Sequence, residues 1–256
     1  MHVLAVTRSV LVSTFAAWRG AMALRPAYRQ PVEPLRLYDI EACPYCRLVR
    51  DALTELDLDV LIQPCPKGGQ RFRPQAIAAA GKAQFPLLVD PNTGRTLYES
   101  ADIVEYLAET YDGRAGGTRG LARAAHLAGS MLASAAQFGR GLRVRASRAP
   151  AQPLELYSFE ASPYSRLVRE RLCELELPYL LRSTGKARLS DIGPPSWRDR
   201  LFKGPKGTSR NRRRLLARTR HVQVPYLIDP NAGQGAGREI YESAAILAYL
   251  DATYAA

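Results

Sequence analysis

From Leu35 the chain alternates apolar and polar residues over a short run, "LRLYDI" (35–40), and then changes period. Leu48, Val49, Leu53 and Leu56 recur at helical spacing behind Pro44, which fits the first turn of a helix because its missing N–H has no intrahelical partner there. "DVLIQ" (59–63) returns to a strand pattern. "PLLVD" (86–90) and "RTLYE" (95–99) flank the turn residues "PNTG" and predict a hairpin. Ser100 then suits the N-cap of a helix carrying Ile103, Val104 and Leu107. The pattern predicts the order β-α-β-α-β-β-α, a four-stranded mixed sheet with helices on both faces.

The whole pattern occurs twice. "PLRLYDIEACPYCRLVRDALTELDLDVL" (34–61) matches "PLELYSFEASPYSRLVRERLCELELPYL" (153–180) at a constant offset of 119. "PKG" (66–68) recurs at 205–207 and "QFPLLVDPN" (84–92) as "QVPYLIDPN" (223–231), now at offset 139. "GRTLYESADIVEYLAETY" (94–111) returns as "GREIYESAAILAYLDATY" (237–254) at offset 143. The second copy is thus expected to carry 20 extra residues near 183–202 and four near 233–236, between periodic segments where loops tolerate length. The boundaries that follow are an N-terminal segment (1–31), a first module (32–112), a linker (113–152) and a second module (153–256).

Charge refines this layout. The net +12 divides into +4 over 1–31, −5 over 32–112, +7 over 113–152 and +6 over 153–256. An acidic first module between basic segments points to docking within the chain and to a monomer. Leu4, Leu11, Phe15, Trp18 and Met22 share one helical face in the N-terminal segment, and Leu127, Met131, Phe138 and Leu142 share one in the linker. Both faces are expected to pack on the modules; for residues 1–30 an organelle presequence or a peripheral membrane helix are the alternatives. Residues 182–220 hold thirteen Lys and Arg against Asp191 and Asp199, so a nucleic acid or an anionic membrane is a minor alternative partner there. Without interleaved aromatic residues, base stacking has little support.

The chemistry is concentrated in "CPYC" (43–46). Cys43 lies just before a predicted helix, where unpaired N–H groups and the helix dipole favour thiolate over thiol. Cys46, one turn later, is in reach to resolve a mixed disulfide. Half of a zinc site is the competing reading, but no second Cys/His pair has ligand spacing, so no metal is expected. The four cysteines, Cys43, Cys46, Cys65 and Cys173, are too few for a secreted disulfide framework and point to a reducing intracellular compartment, foremost the cytoplasm.

These residues resemble glutaredoxins and the N-terminal domain of glutathione transferases, both thioredoxin-like folds. The resemblance rests on "CPYC", on "FP" at 85–86 and on "YES" at 98–100, in that order, and covers both modules. It implies an α/β architecture of two tandem thioredoxin-like domains, each with a four-stranded mixed sheet, joined by a helical linker. It implies Cys43 as nucleophile, Cys46 as resolving thiol and glutathione as substrate or co-substrate. Tyr45, Lys67, Phe85, a cis Pro86, Glu99 and Ser100 would bind glutathione. Phe85 would do so through its backbone, Glu99 through the γ-glutamyl amine and Ser100 through the carboxylate. Arg71 is a weaker candidate for the glycine end.

The second copy reads "SPYS", with Ser162 and Ser165 in place of the two thiols. Ser162, Val224, Pro225, Glu242 and Ser243 keep the rest of the pattern as a possible second site, and a structural role is favoured for them. The expected function is glutathione-dependent thiol–disulfide exchange, with disulfide-bearing proteins as further substrates. The alternatives are a non-catalytic tandem thioredoxin-fold scaffold and a transferase without the usual helical C-terminal domain. The first module alone is expected to retain most of the activity.

Overall fold

A computed structural model describes residues 2–114, 120–188, 191, 208–233, 235 and 237–256. In the first module β1 (Leu35–Asp39), α2 (Pro44–Glu55), β2 (Val60–Pro64), α3 (Arg73–Ala80), β3 (Leu87–Asp90), β4 (Arg95–Leu97) and α4 (Ser100–Leu107) follow in the predicted order. The second module repeats it as β5 (Leu154–Ser158), α6 (Pro163–Glu174), β6 (Tyr179–Ser183), α7 (Arg210–Thr219), β7 (Tyr226–Asp229), β8 (Arg238–Tyr241) and α8 (Ser243–Tyr254). Each module is preceded by a helix: α1 (His2–Phe15) and α5 (Gly120–Ala135).

The expected pair of separate four-stranded sheets is instead one eight-stranded sheet, ordered β4-β3-β1-β2-β6-β5-β7-β8. The outer strands of the two modules, β2 and β6, pair antiparallel, with Val60 opposite Leu181, Leu61 opposite Leu180 and Ile62 opposite Tyr179. At the offset of 119, Leu61 corresponds to Leu180, Val60 to Tyr179 and Ile62 to Leu181. The pairing is therefore isologous: each residue meets the counterpart of its own mirror position, as across the twofold axis of a homodimer. The physical reason is that "VLI" and "YLL" leave a polar edge on an otherwise apolar strand, and mutual pairing satisfies both edges. One apolar core, from Leu35, Leu53 and Ile62 to Leu156, Leu172 and Leu250, runs beneath both modules.

The twofold relation extends to the N-terminal segment and the linker. Ser9 Oγ donates to the Pro163 carbonyl at 2.7 Å, and Ser130 Oγ donates to the Pro44 carbonyl at 2.7 Å. Ala23 N and Lys186 N exchange backbone bonds with Lys186 O and Ala21 O; Val144 N and Lys67 N do the same with Lys67 O and Leu142 O. Helix α1 packs on α6 of the second module and α5 packs on α2 of the first. Each preceding helix thus lies on the other module, in the manner of a domain swap. Lys186 is the structural counterpart of Lys67, so the offset of 119 persists to Lys186. This corrects the alignment of Lys67 with the second "PKG" and moves the 20-residue insertion downstream of Lys186; most of it lies outside the described residues.

The docked face of α1 also differs from the expected one. Ser9, Val12 and Ser13 are buried, whereas Leu4, Leu11, Phe15 and Trp18 remain exposed. On α5 the buried residues are Ser130 and Ala133, and Met131 and Phe138 are exposed. Small residues dock because the contact needs close approach: a Cβ added at Gly129 would sit 2.9 Å from the Phe15 carbonyl oxygen.

Both hairpins are pinned in the same way. Asp90 accepts from Tyr106, Tyr111 and Asn92, and Asp229 accepts from Tyr249, Tyr254 and Asn231. These bonds explain why "DPN" and the two tyrosines near the end of each module recur together.

Candidate functional site

The sheet register collects the motifs at one end. Tyr38 of β1 lies opposite Leu87 of β3, and Leu88 lies opposite Leu97 of β4. The segments that continue from these positions carry Cys43, the Phe85–Pro86 bond and Glu99–Ser100. Cys43 and Phe85 pack against the same apolar cluster of Tyr38, Ile40, Cys65, Phe72, Ala76 and Leu87. The Phe85–Pro86 and Val224–Pro225 peptides are both cis.

Cys43 is the N-cap of α2, with extended backbone (φ −76°, ψ 126°) and no side-chain cap bond of its own. It is half-buried, Cys46 is fully buried and both are free thiols. A hydrogen bond from the Cys46 thiol lowers the Cys43 pKa to about 7, against burial and the carboxylate of Asp39; the Cys46 and Tyr45 backbone N–H groups act in the same direction. Burial and the neighbouring Cys43 push the Cys46 thiol well up. One thiol is thus prepared as nucleophile and the other held protonated. Cys65 and Cys173 are buried and raised by that burial, so they are inert beside Cys43.

Helix α4 begins one residue earlier than expected: Glu99, not Ser100, is the N-cap, and Ser100 opens the helix. Glu99 has left-handed backbone (φ 60°, ψ 120°), as does Glu242 of the second module (φ 68°, ψ 123°). A non-glycine residue held there costs about 1–3 kcal/mol and clusters at ligand clamps. The Glu99 carboxylate accepts from Gln84, and Glu242 accepts from Gln223. Tyr45 is exposed beside Cys43, and Lys67 is exposed on the loop after β2. Arg71 does not serve this site. Its guanidinium donates to the Leu175 and Glu176 carbonyls and to Ser147, all on the far side of the module interface.

Beneath the site is a buried ionic network that the sequence motifs do not mark. Arg47 and Arg50 of α2 and Arg166 and Arg169 of α6 are among the largest fully buried side chains. Arg50 donates to both Asp39 oxygens at 2.7 and 2.8 Å and to Glu160 of the other module at 2.9 Å. Arg169 donates to Glu41 of the first module at 3.1 and 3.2 Å and to Ser158 at 2.8 Å. Arg47 reaches Glu160 at 3.2 Å and Gln137 at 2.6 Å; Arg166 is held by Ser9 and Ser13 of α1. The available signal was the offset of 119 itself, which repeats Glu41, Arg47 and Arg50 as Glu160, Arg166 and Arg169. Charges kept at identical positions on a helix with a buried face mark a shared interface.

In the second motif Ser162 is buried, and its Oγ accepts from Ser165 N as an ordinary helix cap. Helix α1 covers it, leaving a cavity of about 330 Å³ lined by His2, Val3, Val6, Thr7, Val10 and Tyr164. Ser243 opens α8, with His2 Nε2 3.4 Å from its hydroxyl. Among the described residues no group of three or more His, Cys, Asp or Glu is placed to hold a metal ion.

A family model described as the glutathione S-transferase N-terminal domain matches residues 37–115 and 156–256. The chain belongs to this family. Both copies fall within the match, including the copy without thiols. Searches of curated proteins and of solved structures found no match.

Proposed function

We propose that the protein is a glutathione-dependent thiol–disulfide oxidoreductase acting through Cys43, with the second module serving as its structural partner. The observation that carries this reading is the asymmetric thiol pair at the start of α2: Cys43 half-exposed with a lowered pKa, and Cys46 buried and protonated. The Cys43 thiolate attacks one sulfur of a disulfide, forming a mixed disulfide and releasing the other sulfur as a thiolate. Cys46 then gives up its proton and attacks Cys43, which yields the Cys43–Cys46 disulfide and a second thiolate. Two molecules of reduced glutathione restore the dithiol and leave as oxidised glutathione. Ser100 and the N–H groups opening α4 would take the glutathione carboxylate. Glu99 would take its amine, Phe85 beside Pro86 its cysteine backbone, and Tyr45 and Lys67 would flank it. The family match supports glutathione as the ligand.

The spent hydroxyl of Ser162 favours an architectural role for the second motif, including Val224, Pro225, Glu242 and Ser243. The test is mass spectrometry after treatment with oxidised glutathione. A one-glutathione adduct is expected on Cys46→Ser and none on Cys43→Ser. No adduct on Cys46→Ser at about millimolar oxidised glutathione overturns the proposal, since a thiol with pKa near 7 exchanges readily there.

A further inference from the structure

Helices α1 and α5 form an outer layer: each rests on a module, and they touch each other. The faces they turn outward are apolar. Leu4 is 76% exposed, Leu11 52%, Phe15 47% and Trp18 44%; from α5 and its following turn, Leu132 is 58% and Phe138 83% exposed. Leu11 and Leu132 are twofold counterparts, at the same distance from Ser9 and Ser130, so both helices present this face in the same direction. Scattered exposed leucines are ordinary, but a contiguous apolar layer on one side marks a contact surface.

The charge that these two segments carry is of one sign. Residues 1–31 and 113–152 contain eleven arginines and no acidic residue. Arg8, Arg19 and Arg25 are paired with Glu170, Glu55 and Asp112, while Arg123, Arg140 and Arg143 are exposed on α5 and its continuation. A second copy docked face to face would bring arginines against arginines. A negatively charged lipid surface satisfies both features, taking the leucine and aromatic side chains below the headgroups and the guanidiniums among the phosphates. No described helix is long and apolar enough to cross a membrane, so the contact is peripheral.

We infer that the α1–α5 layer is a docking surface for an anionic phospholipid bilayer. It holds the protein by the helices' outward faces. The surface does not depend on the chemistry proposed for Cys43.

The test is flotation of the full-length protein with vesicles of phosphatidylcholine alone or with about 30% phosphatidylserine, at roughly 0.15 M salt. Binding is expected only to the anionic vesicles, with a blue shift of Trp18 emission read in a Trp197→Phe background. Leu11→Ser with Leu132→Ser removes two exposed leucines and is expected to weaken binding at least tenfold, about 1.4 kcal/mol. An unchanged far-ultraviolet circular dichroism spectrum and urea-unfolding midpoint show that this variant is folded. Absence of binding, equal binding to neutral vesicles, binding unchanged in the double variant, or self-association through this face measured by sedimentation each overturns the inference.

Discussion

Replacing Glu160 by Gln removes one negative charge from the centre of the molecule while keeping its shape. The Glu160 carboxylate accepts from Arg47 at 3.2 Å and from Arg50 at 2.9 and 3.4 Å, and pairs with Arg169 at 3.0 Å. Three buried guanidiniums from both modules therefore share it. Burial alone would raise its pKa, but Arg169, Arg50 and Arg47 outweigh that effect and hold the carboxyl well below the usual range. Breaking a buried pair by removing one partner costs about 3–5 kcal/mol, because the other charge is left without compensation. The amide retains one acceptor and adds an N–H that faces arginines, so the cost belongs in this range. Glu41→Gln is the internal comparison. Glu41 meets Arg169 and, at 3.5 Å, Arg50, so its loss is expected to cost less. Equilibrium unfolding in urea, monitored by far-ultraviolet circular dichroism, measures both. The wild type should unfold in one transition, since one sheet and one core span both modules. As pH falls through the depressed carboxyl pKa of folded Glu160, the folded state must take up a proton it resists and the stabilisation is lost; above the unfolded carboxyl range, near 4.3, it is fully present. A penalty below about 1 kcal/mol for Glu160→Gln, or two separate transitions in the wild type, would refute the reasoning.

Two further predictions concern titration. The rate of Cys43 alkylation should rise with pH through a midpoint near 7, and Cys46→Ala, which deletes the strongest contribution to that lowering, should move the midpoint toward the free-thiol value; an unchanged midpoint would assign the lowering to the helix N-terminus instead. Asp51 is buried with one oxygen lacking a partner, and burial followed by Glu160 raises its pKa to about 8. Between the unfolded value near 3.9 and 8 the folded state holds a proton that the unfolded state has lost, so this residue makes stability fall as pH rises. Asp51→Asn should therefore stabilise the protein at pH 8 and change little at pH 4, measured by thermal unfolding at both values; equal effects at the two pH values would show that Asp51 is ionised in the fold.

The period of the apolar residues was enough to find every strand and to order the elements within each module, because those features depend on neighbours close in sequence. Cys43, Pro86, Glu99 and Ser100 were legible as motifs because their spacing is set by one strand register. The fusion of the two sheets was not legible: "VLI" and "YLL" read equally well as a free edge and as a pairing edge. The swapped helices were hidden for a different reason. Residues 9–25 and 130–146 share only Ser9/Ser130, Leu11/Leu132, Ser13/Ser134, Arg19/Arg140 and Gly20/Gly141, since a helix docked through small residues fixes few identities. The apolar stripe on each helix then suggested the wrong docking face. An excised first module, once expected to keep its activity, would lose Glu160 from two buried arginines and Ser130 from the carbonyl of Pro44, both on the helix that bears Cys43.

The two copies of the ten-residue motif therefore divide by position. Pro44 and Pro163 start helices, Val49 and Val168 pack beneath them, and the paired arginines and glutamates join the modules. Each of these roles is needed twice, because an isologous interface needs the same surface from both partners. Thiol chemistry carries no such requirement. One further exchange follows the sulfurs: Asp39, which raises the pKa of both thiols and binds Arg50 through two oxygens, is Ser158 in the second module, where a single hydroxyl serves Arg169. The interface accepts either residue, since each supplies its arginine with an acceptor. At this one position a carboxylate is present only in the copy that carries the thiols. Glu41, Arg47 and Arg50 of the interface therefore recur as Glu160, Arg166 and Arg169, while Cys43, Cys46 and Asp39 are replaced by Ser162, Ser165 and Ser158.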